Sequence, residues 1–140
     1  MGWISPASLA KAPLLFHAVL ETAASLSFAL QPERQLPGAN EDARAVLLNY
    51  SGLLLSTNIL AVLFAWRTGF DDATRLVAAC LAVYHVFPIL RASVKIRRGI
   101  GLKPGEKARV LGGPQIHAMV HGACLVGLIL AALLGTGGDI

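Results

Sequence analysis

Four long apolar runs, parted by polar or glycine- and proline-bearing breaks, set the pattern of this chain. The first extends from about Pro13 to Leu30, with Pro13 tolerated near a helix start and Pro32 stopping what precedes it. The others fall near 45–66, 73–90 and 115–134, the last opening after Gly112-Gly113-Pro114 and closing at Gly135-Thr136-Gly137-Gly138. Each approaches the ~20 residues that an α-helix needs to cross a bilayer. The links Gln31–Arg44 and Arg67–Asp72 are short, and Arg91–Pro114 is a longer basic loop. Sequential helices joined this way lie antiparallel. The pattern therefore predicts one domain over residues 1–140, an all-α, integral membrane, antiparallel four-helix bundle.

Composition fixes the solvent as lipid. Of the 140 residues, 55% are apolar and only 14% charged, and the mean hydropathy is +0.63, too apolar for one soluble core to hide. Lys11 precedes the first run, but no small-residue cleavage pattern follows, so that run is expected to remain as the first span. Cys80 and Cys124 lie within spans, without metal-ligand spacing, and read as small packing residues.

Charge sets the expected orientation. Arg91, Lys95, Arg97, Arg98, Lys103, Lys107 and Arg109 crowd one loop against Glu106 alone, and Arg34 and Arg44 share that side. Only Lys11, Arg67 and Arg75 lie opposite. This asymmetry predicts cytosolic first and third loops and luminal or outside termini, in the endoplasmic reticulum or plasma membrane. A nucleic-acid partner is excluded, because no aromatics interleave the basic run and spans bracket it. The expected partners are the lipid bilayer, a lipophilic small molecule, and possible homo- or hetero-oligomers through small-residue faces. Gly52 with Ser56, and Ala123 with Gly127 and Ala131, recur every four residues and predict such packing faces. Trp66-Arg67 reads as an interfacial anchor.

Polar residues inside the spans carry the functional information. His17 and Glu21 lie one turn apart in the first run, and Ser25 continues their face. An ionisable side chain at membrane depth costs ~2.5–3.5 kcal/mol, which makes the pair a candidate site. The second run offers Asn49, Ser51 and Asn58; the third His85, followed by Pro88, which frees the carbonyl of Tyr84; the fourth His117 and His121, one turn apart. Measured along each span, Glu21, Asn58, His85 and His121 fall in neighbouring layers.

Three readings of that layer stay open. Acid–base catalysis on a lipophilic molecule would use His17, Glu21 and His85 as proton-transferring groups and Asn58, His117 and His121 to hold the ligand. A double-bond migration, epimerisation or cyclisation of this kind needs no cofactor. A metal site is not expected, since the Glu-x-x-His spacing of di-iron bundles is missing and His117/His121 supply half a site. The remaining alternatives are a non-catalytic lipid-binding or accessory subunit, in which these groups only fix helix register, and a small transporter. His17–Ala23 also echoes His117–Ala123 in a helix of opposite direction, as an inverted repeat would.

The four spans and the His17-x-x-x-Glu21 motif resemble the emopamil-binding, sterol-isomerase (EXPERA-like) type of membrane protein. That resemblance covers the layout and this one motif. It implies an isomerase of lipid metabolism in the endoplasmic reticulum, with His17 and Glu21 handling protons and Asn58 assisting. In outline the chain is similar also to DoxX-like four-helix proteins and to small membrane proteins of fungal natural-product pathways, which implies a place in secondary metabolism.

Overall fold

The computed structural model describes residues 6–100 and 113–135. It contains α1 (Pro6–Leu30), a short α2 (Pro32–Gln35), α3 (Glu41–Trp66), α4 (Asp72–Arg97) and α5 (Gly113–Leu134), with no strand among the described residues. The four long helices have 22 to 26 residues each and are apolar enough to cross a membrane. At a rise of 1.5 Å per residue they span roughly 33–39 Å, longer than the ~30 Å hydrocarbon layer.

The helices outrun the apolar stretches because their ends are set by caps rather than by hydropathy. Asn40 accepts a hydrogen bond from the Ala43 N–H at 2.9 Å and starts α3; Asp71 does the same for Thr74 at 2.9 Å and starts α4. Beyond Leu90 no residue breaks α4 until Gly99, whose φ of 65° lets the Gly99 and Ile100 amides reach back to the carbonyls of Ile96 and Lys95. Arg91, Lys95 and Arg97, expected in a loop, are therefore helical. Lys103, Glu106, Lys107 and Arg109 lie outside the described residues. Pro13 and Pro88 sit inside α1 and α4 rather than at a helix boundary.

Two helical hairpins make the bundle. Along α1 and α3, Phe28 meets Tyr50, Ser25 meets Ser51 and Thr22 meets Asn58, a register that fixes them as antiparallel. Along α4 and α5, Arg91 meets His117, His85 meets His121 and Arg75 meets the carbonyl of Ala132, again antiparallel.

Burial is inverted relative to a water-soluble bundle. Large apolar side chains such as Phe16, Val19, Leu53, Leu63, Phe87 and Leu133 are exposed along the helices, where lipid would cover them. His17, Glu21, Ser25, Ser51, Asn58, Thr74, His85 and His121 are buried. At the other end of the bundle an apolar layer forms from Leu14, Ala61, Phe70, Ala78, Leu81, Leu128 and Ala131.

The buried stripe of α3 is Ser51, Leu54, Asn58 and Ala61, and that of α5 is His121, Cys124, Leu128 and Ala131. Of the small-residue positions expected to pack, Gly52, Ser56 and Ala123 face outward from the bundle. Gly127 does approach α1, where an added Cβ would lie 3.5 Å from the Pro13 ring, and Ala131 is buried. Four-residue spacing alone does not say which side of a helix faces its neighbour. Both cysteines are free, Cys80 exposed and Cys124 buried.

Candidate functional site: a buried histidine–glutamate layer

α1, α4 and α5 each carry an ionisable residue on the inward stripe at one level. His85 of α4 is the hub. Its Nε2 lies 2.9 Å from His17 Nδ1, and its Nδ1 lies 2.8 Å from His121 Nδ1. Both contacts are hydrogen bonds, and a neutral His85 must donate in one and accept in the other. Every proton placement in the row follows from that choice.

Glu21 lies against the same row. Its Oε1 is 3.4 Å from His121 Nδ1 and 3.8 Å from His85 Nδ1, while its Oε2 accepts a hydrogen bond from the Tyr84 hydroxyl at 3.0 Å. Tyr50 of α3 donates in turn to the Tyr84 hydroxyl at 3.1 Å. A chain of two phenols thus orients the carboxyl, leaving its other oxygen to the imidazoles. His17 and His85 are wholly enclosed, and Glu21 is 1% exposed. His17 Nε2 and Asn58 Oδ1 are buried with no hydrogen-bond partner among the described residues.

The row continues toward the α2 end of the bundle. The rings of His117 and His121 stack edge-on at 4.4 Å between centroids, and Arg91 donates to His117 Nε2 at 3.2 Å. Beside this row lies a cavity of about 450 Å³. Leu20, Phe28, Ile116 and Val120 give it apolar walls; Glu21, Tyr84, His117 and His121 form its polar side; Arg34, Gln35 and Arg91 also line it. A mostly apolar cavity of this size with a few convergent polar groups is what a small lipophilic ligand requires.

The structure brings together five of the six residues singled out in the sequence. His17, Glu21, His85 and His121 touch or nearly touch, and His117 extends the row. Asn58 does not join them. Its amide donates to Thr22 Oγ1 at 3.2 Å, on the α1–α3 seam and away from the cavity lining. His17 and Glu21 share a face as their spacing requires, yet each turns to a partner on α4: His85 for one, Tyr84 for the other.

Sequence reasoning missed Tyr84, Tyr50 and the part played by Arg91. A signal was present, since Tyr84 and Arg91 are seven residues apart and share a stripe of α4, beside the flagged His85. Ser25 and Ser51 form a separate reciprocal clamp, each hydroxyl donating to the other's carbonyl at 2.9 Å. That clamp fixes the α1–α3 register below the site.

Comparison with protein-family models, with curated proteins and with solved structures found no match to this chain.

Proposed function

We propose that this multi-pass membrane protein binds a lipophilic small molecule in the cavity beside Glu21 and transforms it by acid–base chemistry. The observation that carries this reading is the polar side of that cavity. A carboxyl, a phenol and two imidazoles meet on one wall of a mostly apolar chamber, with two further imidazoles hydrogen-bonded behind them.

An isomerisation fits these groups because it balances without a co-reactant. One group removes a proton from a carbon of the ligand, and another returns a proton at a second carbon. Glu21 and His121 stand on the cavity wall within 3.4 Å of each other, close enough to act on adjoining atoms. The proton taken up by one of the pair returns to the other across the 3.4 Å between Glu21 Oε1 and His121 Nδ1, which resets the wall after each turnover, and His85 holds the His121 ring through its 2.8 Å contact. Tyr84 holds the carboxyl in place and is the positioning residue of the set.

The test uses the protein reconstituted in lipid and incubated in D₂O with a lipid extract of its host. The expected result is one component that gains deuterium and changes retention time with the wild type but not with Glu21→Gln. An extract unchanged by the folded wild type would overturn catalysis. A compound that co-purifies unaltered would then assign the cavity to binding alone.

A further inference from the structure

Below the cavity wall, three atoms converge on one point from three helices. His85 Nδ1 and His121 Nδ1 are 2.8 Å apart, and Glu21 Oε1 lies 3.8 Å and 3.4 Å from them. Nitrogen and oxygen ligands bound to one zinc-like ion at 2.0–2.2 Å in a tetrahedral shell stand roughly 3.3 Å from each other. The three observed edges straddle that value. His17 stands on the other side of the His85 ring, its Nδ1 2.9 Å from His85 Nε2, and His17, Glu21 and His85 each bring one ligand atom to within 4.8 Å of the others.

The other polar atoms of His85 and Glu21 are occupied as the outer shell of a metal site requires. Ligating imidazoles hand their second N–H to an acceptor, and ligating carboxylates are themselves hydrogen-bonded. His85 Nε2 faces His17 Nδ1 at 2.9 Å, and Glu21 Oε2 takes the Tyr84 hydroxyl at 3.0 Å. Glu21 and His121 also line the cavity, so a fourth coordination position would open toward its contents. Three protein ligands with one open position is the arrangement of a reactive metal centre rather than a closed structural one.

We propose that Glu21 Oε1, His85 Nδ1 and His121 Nδ1 bind one divalent transition ion of the zinc or ferrous class. His17 and Tyr84 act as positioning residues. Two imidazoles and one carboxylate select that class over magnesium and calcium, which prefer all-oxygen shells. The proton balance is simple. The ion replaces the hydrogen bond between the two Nδ1 atoms, so both rings carry their proton on Nε2, and His85 then donates to His17. His17 in turn holds its proton on Nε2, the buried nitrogen without a partner. His117, one turn from His121, pairs with Arg91 and stays outside the set, although its spacing first suggested a half-site.

Ion binding does not depend on the lipophile reading, because it uses the floor of the cavity rather than its apolar walls. With the ion bound, Glu21 is a ligand held by Tyr84, and the proton it carries in the ion-free reading is carried instead by a water on the open position. The experiment is a Co²⁺ titration of the detergent-purified full chain carrying no polyhistidine tag, read by visible d–d absorption. One Co²⁺ per chain, displaced by Zn²⁺, is expected. Glu21→Gln and His121→Asn, checked for unchanged helicity and elution volume, lose the signal. His17→Gln keeps the stoichiometry and weakens binding by about 10–100-fold, as loss of an outer-shell partner does.

If those variants do not fold, X-ray absorption of the Zn²⁺-loaded wild type decides, with a nitrogen and oxygen shell containing two imidazoles and no sulfur expected. Folded wild type that takes up no Co²⁺, a signal surviving both variants, or a sulfur ligand overturns the site. Lipophile co-purification is measured on the same samples before and after chelation. A retained lipophile without metal uptake then sinks the ion alone, and metal uptake without a lipophile sinks the ligand reading alone.

Discussion

Leu14 and His17 are consecutive inward positions of α1, both wholly enclosed, and they belong to two regions held together by different forces. Around Leu14 the contacts are carbon on carbon, with Ala61, Phe70, Ala78 and Leu128 closing the bundle's other end. Around His17 the contacts are hydrogen bonds between rings from α1, α4 and α5. In lipid, burying carbon between helices gains little hydrophobic free energy, so the apolar layer works through close packing alone. The polar layer gains hydrogen bonds, but each of its groups is costly to leave unpaired. An apolar layer would serve to close a bundle. A row of four imidazoles and a carboxyl beside a cavity costs more than closure requires, and that excess is what the proposed chemistry accounts for.

Substitutions separate the two regions. The largest expected effect is on turnover. Glu21→Gln keeps the shape and the Tyr84 contact but removes the group proposed to transfer the proton, and should lower the rate by about 10²–10⁴-fold. Its unfolding transition in detergent should stay close to that of the wild type. A large stability loss with unchanged rate per folded molecule would reverse the roles assigned to the two layers.

Leu128→Ala is the counterpart in the apolar layer. It should lower stability, read from detergent or thermal unfolding, by the cavity part alone of the about 2–5 kcal/mol that Leu→Ala costs in water-soluble cores, with turnover per folded molecule unchanged. Gly135→Ala sharpens the same point from the other direction. Gly135 ends α5 against the Phe70 ring, and a methyl there runs into the ring and the Ala131 carbonyl. Overpacking of this kind costs about 1–3 kcal/mol, and Phe70→Leu in the same chain should return part of it.

The four long helices α1, α3, α4 and α5 were legible in the sequence because long apolar runs have few other structures open to them in lipid. Polar residues on the inward stripe were legible for a related reason: a histidine or glutamate in such a run has nowhere favourable to point but inward. Rotation and pairing were not legible. Gly52 and Ser56 looked like a packing face, yet the inward stripe runs through Ser51, Leu54 and Asn58, one residue away. Lipid surrounds the bundle, so apolar residues cover both faces and periodicity no longer marks the inner one. His17 and His85 are 68 positions apart, and nothing local in the chain encodes their contact. Asn58 was placed with the cluster by depth alone, but depth leaves the helix azimuth open, and its amide turns to Thr22.

Two smaller effects finish the comparison. Ser25→Ala breaks half of the clamp with Ser51 and should cost about 0.6 kcal/mol, the average for hydrogen bonds between membrane helices, and at most about 1.7 kcal/mol. A loss of activity larger than that of stability would show that the α1–α3 register feeds into the polar layer. The smallest effect lies outside the membrane, at Asp71. The Thr74 hydroxyl and amide, and then Arg67, hold its carboxyl below the value of 3.8 of a free aspartate. The fold therefore prefers the ionised form, so this stabilisation is complete above about pH 4 and fades as the pH falls through the lower folded value. Asp71→Asn should flatten the acid limb of a melting curve measured against pH and leave the neutral region nearly unchanged.

The central claim is that imidazoles from α1, α4 and α5 meet in one dry layer. The chain has only four histidines, so ¹⁵N–¹⁵N dipolar recoupling on ¹⁵N-histidine-labelled protein in lipid bilayers addresses it directly. Correlations between His17 and His85 and between His85 and His121 are expected, at nitrogen separations of 2.9 and 2.8 Å, with both lost in His85→Ala. A His85 ring without a nitrogen neighbour in the folded wild type would contradict the account.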